Sequence, residues 1–284
     1  MFKKGRRDWT PKKLVFRVQR YEPTGNEKPH LEEFTVPFTK GMTVLDGLIY
    51  IKEEIDNTLA FRTSCRMGIC GSCGMLINNF PHLACHTPVE ELRKDMLEIK
   101  ALPNFAIVKD LISDLTPLFE KHKSVQPYIL RSDSQEVEEP SGEFSQSPQE
   151  LEDYEQFAYC IKCGICMAGC PTVATDRLFL GPQPLAQAYR YLADSRDEGG
   201  KERLLAVDTA HGVWLCHLAG ACSEACPKGV DPALAIQLLR RKVILKTIRL
   251  RKEKQPSPLV KPPTEQKPKL PVPEFTAKHS SKRG

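Results

Sequence analysis

The cysteines carry the most evident chemistry in this chain. There are eleven, in three groups: Cys65, Cys70, Cys73 and Cys85; then Cys160, Cys163, Cys166 and Cys170; then Cys216, Cys222 and Cys226. An odd number cannot pair completely within one chain. Clustered thiols in a reducing compartment are more often metal ligands than disulfides. The first group is spaced C-x4-C-x2-C-x11-C. That run suits a two-iron cluster, which takes two thiolates on each iron and needs a short loop to wrap it. Gly68, Gly71 and Gly74 lie among these cysteines, where glycine permits positive φ and close backbone approach, so that loop N–H groups can point at sulfur. Zinc is the competing use of four cysteines. Zinc ribbons show two C-x2-C pairs, and the gap from Cys65 to Cys70 is too wide for one.

Cys160-x2-Cys163-x2-Cys166-x3-Cys170-Pro171 is the run of bacterial ferredoxins. It recurs fifty-six residues on as Cys216-x2-Ala219-x2-Cys222-x3-Cys226-Pro227, with Ala219 where the second cysteine would stand. In two-cluster proteins of this kind the fourth cysteine of each run ligates the other cluster. By that rule Cys160, Cys163, Cys166 and Cys226 form a four-thiolate site for [4Fe–4S]. Cys170, Cys216 and Cys222 form a second site in which Ala219 offers nothing to a fourth iron, so [3Fe–4S] is expected. A [4Fe–4S] cluster with water on its open corner, or with His217 as an unusual ligand, is the alternative there. The scheme uses all eleven cysteines.

Two scaffolds must hold these ligands. Leu14–Tyr21 alternates as a strand, and His30–Phe38 aligns Phe34, Val36 and Phe38 in a second, with a turn containing Gly25-Asn26 and Pro29 between them. Thr43 opens a helix with Asp46 as its capping-box partner and with Leu45, Leu48, Ile49 and Ile55 as an apolar stripe. Strand, strand, helix, glycine-rich loop and strand describe a small α+β domain. In the second half a helix is expected over Pro184–Asp197, with Leu185, Ala188, Tyr189 and Leu192 inward. Another is expected from Pro232 to about Arg251, capped by Asp231, with Ala233, Ile236, Leu239 and Val243 inward. Phe179, Tyr191 and Trp214 read as core or cluster shielding.

The chain has 284 residues, 40% of them apolar and 27% charged, enough for about two domains with a core. A wholly disordered chain is excluded. The longest uncharged run, Met67 to Val89, is broken by glycines and prolines, so no membrane span is expected. Lys3, Lys4, Arg6 and Arg7 are followed by no apolar segment, so no signal peptide is expected. The net charge of +5 is uneven: residues 240–284 hold 14 Lys and Arg against three Glu. From Arg131 to Gln156 nine acidic residues accompany one basic one, which reads as an exposed linker. Seven prolines between Pro256 and Pro273 read as an extended tail, either solvated or drawn to an anionic membrane surface. Phe275 is the lone aromatic of that basic end, so no nucleic-acid partner is expected. The resulting division is a [2Fe–2S] domain over 1–130, an acidic linker over 131–150, a helical domain over 151–251 and a tail over 252–284.

Three different clusters in two domains make a wire. No nucleophile motif, G-x-G-x-x-G fingerprint or P-loop is present, so no residue is assigned a catalytic role and the reaction belongs to partner subunits. A free electron carrier is the competing reading.

The sequence closely resembles the iron–sulfur subunit of succinate dehydrogenase and fumarate reductase, over roughly Leu14 to Lys246. The strings Arg62-Thr-Ser-Cys65-Arg-Met-Gly-Ile-Cys70-Gly-Ser-Cys73, Leu180-Gly-Pro, Ala188-Tyr-Arg-Tyr, Asp194-Ser-Arg-Asp197 and Cys226-Pro-Lys-Gly-Val-Asp-Pro232 carry the resemblance. It implies an N-terminal β-grasp ferredoxin domain and an all-α, α-helical ferredoxin domain. It further implies a flavoprotein partner with FAD docked near the [2Fe–2S] cluster, and an electron path through [2Fe–2S], [4Fe–4S] and [3Fe–4S] to quinone. One or two membrane anchor subunits, with or without haem, would meet the helical domain. The location implied is peripheral, on the cytoplasmic side of the cell membrane. The quinone end is mixed. Pro171-Thr-Val-Ala-Thr-Asp176 lacks the tryptophans of many succinate:ubiquinone enzymes, and Gly212-Val-Trp214 and Ser223-Glu-Ala-Cys226 lean toward fumarate reductases. Cys216-His217 follows the succinate dehydrogenase pattern, with the histidine near haem or quinone, and Arg240 stands where a lysine near the quinone is common. This leaves the direction open, with menaquinone as the candidate quinone. Heterodisulfide-reductase-like subunits are a rival within the same class.

Overall fold

The computed structural model describes residues 9, 11–25, 28–247 and 259–260. The basic N-terminus, Asn26, the stretch toward Arg251 and most of the Pro/Lys-rich tail lie outside the described residues.

Alternating apolar residues build β1 (Lys13–Arg20) and β2 (His30–Pro37), paired antiparallel from Lys13↔Pro37 to Arg20↔His30. Leu14, Phe16 and Val18 of β1 and Phe34 and Val36 of β2 are buried, as period-two alternation requires. α1 (Val44–Tyr50) begins at Thr43, whose hydroxyl accepts the Asp46 N–H while the Asp46 carboxylate accepts the Thr43 N–H. This is the expected capping box. A π-type turn over Ile51–Ile55 continues the helix and leaves Ile55 48% exposed, outside the stripe expected of it. The wider turn shifts the helical phase away from the core. α1 lies so close to the sheet that a Cβ on Gly47 would overlap the Phe16 ring.

β3 (Gly74–Ile77), β4 (Phe80–Leu83), α2 (Val89–Leu92) and β5 (Met96–Lys100) complete this domain. The sheet order is β2-β1-β5-β3-β4, with β1 and β5 parallel and the other pairs antiparallel. A mixed sheet grasping one helix is the β-grasp fold. A short hairpin follows, β6 (Ile107–Lys109) with β7 (Ile112–Ser113).

The remainder is mostly helical. It runs through α3 (Thr116–Ser124), α4 (Ser134–Glu138), β8 (Glu143–Phe144), α5 (Pro148–Glu152), α6 (Glu155–Ala158), α7 (Ile165–Ala168) and α8 (Pro171–Thr175). It then continues through α9 (Pro182–Ala193), α10 (Gly200–Val207), α11 (Ala221–Glu224) and α12 (Pro232–Thr247), with β9 (Leu259–Val260) paired to β8. α9 is the central helix, packed by α3, α6, α10 and α12. Its Leu185, Ala188, Tyr189 and Leu192 are buried. α12 starts after Asp231, whose carboxylate accepts the Leu234 N–H at 2.9 Å, the expected cap. Phe179 is core, but Trp214 is 45% exposed, contrary to its reading as core or shielding. Its indole N–H donates to Asp208 at 2.7 Å, which keeps the ring at the surface.

The acidic stretch is tied to the helical half. Arg131 pairs with Asp133 and Glu198 and lies 3.8 Å from the centre of the Phe144 ring. Gln146 donates to Asp194 and Ser195. The two halves interlock as well: Ile165, Ala168 and Ala225 of the helical half belong to the first core. Among the described residues no helix is long and apolar enough to cross a membrane.

Candidate iron–sulfur centres

The first cysteine group lies on the loop that leads into β3, with Cys85 just after β4. Backbone amides converge on its sulfurs. Cys65 Sγ accepts the N–H groups of Ile69 and Cys70, each at 3.3 Å, and of Met67 at 3.5 Å. Cys85 Sγ accepts the Gly68 N–H at 3.3 Å, and Cys73 Sγ accepts the Cys85 N–H at 3.4 Å. The loop thus pairs Cys65 with Cys70 and Cys73 with Cys85. Amide donation, led by Met67, lowers the Cys65 thiol to about 6. Burial pushes Cys73 up to about 12. A thiol so buried becomes thiolate only beside a strong cation, and iron supplies one. The donor set therefore fits a two-iron cluster. Met67 and Ile69 stand exposed on the rim at 67% and 58%.

In the second half, Cys160, Cys163 and Cys166 line one cavity together with Cys226, which comes from the second run. The remaining wall is largely apolar, including Ile161, Ala186 and Val230. Burial raises all four thiols of the first run, Cys163 to about 12 and Cys166 well above its ordinary value, and neighbouring thiols add to the rise. Cys222 is likewise pushed up by burial to about 11, and the nearby Cys170 and Cys216 add to the rise. Crowded, buried thiols of this kind are stable as thiolates only around a shared cationic body, and loading one would release their protons. Among the described residues no group of three or more His, Cys, Asp or Glu side chains is drawn in around a single metal ion. The donor sets suit a multi-iron body.

The repeat in sequence is also a repeat in backbone. Lys162 and Gly164 flank Cys163 with φ of 56° and 81°, and Leu218 and Gly220 flank Ala219 with φ of 55° and 77°. Gly164 and Gly220 then open the matching short helices α7 and α11. Ala219 therefore occupies a ligand-type backbone position with no sulfur on it.

Of the two residues assigned to the quinone vicinity, His217 is exposed beside Cys216. Arg240 is half-buried and turned onto the Cys216 turn. It donates to the carbonyls of Val213 at 2.8 Å, Trp214 at 3.3 Å and Cys216 at 2.6 Å. Sequence reasoning missed two further supports. The Asn104 amide donates to the carbonyls of Met167, Ala168 and Cys170 at 2.9, 3.0 and 3.2 Å. Gln183, 1% exposed, places its Nε2 3.9 Å from Cys160 Sγ and 3.2 Å from His122 Nδ1. Neither sits in a spacing motif, so the sequence carries no signal for them.

Comparison with known proteins finds two cluster-binding families along the chain. A family model for a 2Fe-2S iron-sulfur cluster binding domain matches residues 15–120, and one for a 4Fe-4S dicluster domain matches residues 156–230. The chain is 45% identical to a fumarate reductase iron-sulfur subunit of Mycobacterium tuberculosis, covering 79% of this chain and 90% of that one. It is 43% identical to the corresponding Escherichia coli subunit, over 80% and 91% of the two chains. It is 40% identical to a succinate dehydrogenase iron-sulfur subunit of Paracoccus denitrificans, over 81% and 87%. In fold it resembles a chain of the Mycobacterium smegmatis Sdh1 complex in the apo form, with a TM-score of 0.71 at 24% identity, over 83% of this chain and 97% of that one. The chain belongs to the iron–sulfur subunits of the succinate dehydrogenase and fumarate reductase family, the non-catalytic, electron-transferring members of these oxidoreductase complexes.

Proposed function

We propose that this subunit carries electrons between the FAD of a partner flavoprotein and membrane quinone through three centres with the following ligands. Cys65, Cys70, Cys73 and Cys85 hold [2Fe–2S]. Cys160, Cys163, Cys166 and Cys226 hold [4Fe–4S]. Cys170, Cys216 and Cys222 hold [3Fe–4S]. When bound, the clusters supply one-electron redox chemistry, and the chain supplies position, burial and amide donors. The flavoprotein meets the exposed rim at Met67 and Ile69. The anchor subunits, with or without haem, meet the face carrying Trp214, His217, Leu218 and Ala219, all exposed. There His217 stands next to the quinone end, while Arg240 holds the Cys216 turn from behind. The chain sits peripherally on the cytoplasmic side of the cell membrane, and menaquinone is the quinone proposed. The working direction is succinate oxidation. The fumarate reductase relatives at 45% and 43% identity favour the reverse direction as a second reading.

The observation that carries the cluster assignment is the pair of matched loops, one bearing Cys163 and the other Ala219 between left-handed flanks. The experiment is electron paramagnetic resonance of the native complex and of Ala219→Cys. The native complex is expected to show an oxidised three-iron signal that succinate removes. In the variant a four-iron signal replaces it. An unchanged spectrum in the variant refutes the assignment, and a three-iron signal indifferent to succinate refutes a succinate-handling partner and calls for another flavoprotein.

A further inference from the structure

The two cluster loops meet at one place. Gly71, between Cys70 and Cys73, is buried with φ +76°. A Cβ on it would stand 2.7 Å from Cys163 Cβ and 3.0 Å from Cys163 Cα. Gly74, on the other side of Cys73, differs: a Cβ there would lie 3.3 Å from Leu102 Cδ1 and at an ordinary contact distance of 3.4 Å from the Cys163 carbonyl oxygen. Across the boundary the chain bends sharply at Cys163, held by the left-handed Lys162 and Gly164. Gly71 of the [2Fe–2S] loop therefore leaves bare the spot where the [4Fe–4S] loop arrives.

Left-handed backbone alone does not account for this. Gly41 has φ +81° and nothing within 4 Å of where its Cβ would be. A residue with a side chain at that position would be strained but not blocked. At Gly71 the side chain is excluded by contact as well. Protein interiors are close-packed and relax little, so a methyl group here must push the two loops apart.

We propose that electrons cross between the two domains at the Gly71–Cys163 contact, and that Gly71 is a positioning residue that keeps it free of a side chain. This rests on Cys73 and Cys163 being cluster ligands. Across the contact one electron passes from the two-iron centre, oxidised by one, to the four-iron centre, reduced by one. No bond forms or breaks and no proton moves. Because tunnelling falls off steeply with separation, a small displacement of these loops slows this step.

The test uses the full complex carrying Gly71→Ala, Gly74→Ala or Gly41→Ala. Two readouts apply: freeze-quenched reduction of each cluster after mixing with succinate, and the spin-relaxation enhancement of the reduced [2Fe–2S] signal by its neighbour, which reports distance. Gly71→Ala is expected to retain both cluster signals, to weaken the enhancement and to slow four-iron reduction several-fold behind two-iron reduction. Gly74→Ala, whose Cβ would meet Cys163 only at ordinary contact distance, and Gly41→Ala should both match the native complex. Native transfer and enhancement in a fully loaded Gly71→Ala overturn the proposal. Should Gly71→Ala fail to assemble, the native complex decides: a reduced [2Fe–2S] signal that relaxes no faster when the four-iron centre is reduced than when it is oxidised overturns the proposal. Cys163→Ser tests the underlying assignment separately. Loss of the four-iron signal with the two-iron signal retained supports it, and an unchanged four-iron signal removes it.

Discussion

Arg203 of α10 is 1% exposed, and its guanidinium is fully committed. It donates to the Asp197 carboxylate at 2.5 and 3.1 Å. It also donates to the carbonyls of Val125 at 3.3 Å, Gln126 at 3.1 Å and Tyr128 at 3.0 Å. Those carbonyls lie on the segment that leaves α3 for the acidic stretch, so this side chain staples the connection to the helical half. In Arg203→Met, Asp197 keeps the Leu130 N–H at 3.0 Å but remains a charge buried without its cation. Breaking a buried pair from one side costs about 3–5 kcal/mol. At roughly 2–4 °C per kcal/mol for a protein of this size, the melting temperature should fall by roughly 6–20 °C. The assay is thermal unfolding of the assembled complex, followed by cluster absorbance and circular dichroism. Asp197→Asn should cost less, because Arg203 retains its three carbonyls. The double variant Arg203→Met/Asp197→Asn should cost less than the sum of the two. A fall below about 2 °C in Arg203→Met, or strict additivity in the double variant, refutes the view that this pair holds the connection.

Two other perturbations follow from the geometry. Asn104→Ala removes the donor shared by the Met167, Ala168 and Cys170 carbonyls. It should cost about 1–3 kcal/mol and lower the iron content of the second and third centres while leaving the [2Fe–2S] spectrum intact. Equal loss of all three centres on iron analysis would contradict that. Acidification is the second. Burial, with a smaller contribution from Lys162, holds His122 at about 4, below its ordinary 6.5. Between those values the unfolded chain binds a proton that the folded chain does not. The contribution is therefore complete above pH 6.5 and declines as the pH falls toward 4. Melting temperature plotted against pH should decline less steeply over that interval in His122→Gln, and parallel curves would contradict the sign.

Much of the fold was legible because its signals are local. Strand alternation put Leu14, Phe16, Val18, Phe34 and Val36 inside, and the Thr43–Asp46 pair announced the start of α1. The two-domain order and family could be read from cysteine spacing, because clusters need short loops with thiolates at set intervals. The departures were places where an interaction overrode local pattern. Ile55 left its stripe when the helix widened into a π-type turn. Trp214 went to the surface because Asp208 takes its indole N–H.

The sequence by itself determined the type of chemistry, the number of centres it could support and the missing sulfur at Ala219, since ligand identity and short-range spacing are written directly in the residue order. Only the tertiary structure decided which groups support that chemistry from afar. Arg240, Asn104 and Arg203 all act on backbone carbonyls, and a carbonyl is the same acceptor whatever residue bears it, so no pairing is visible in the sequence. The meeting of Gly71 with Cys163 spans 92 positions of chain. A contact at that separation has no periodicity to betray it, and it exists because two cores interlock and bring the loops to the same point.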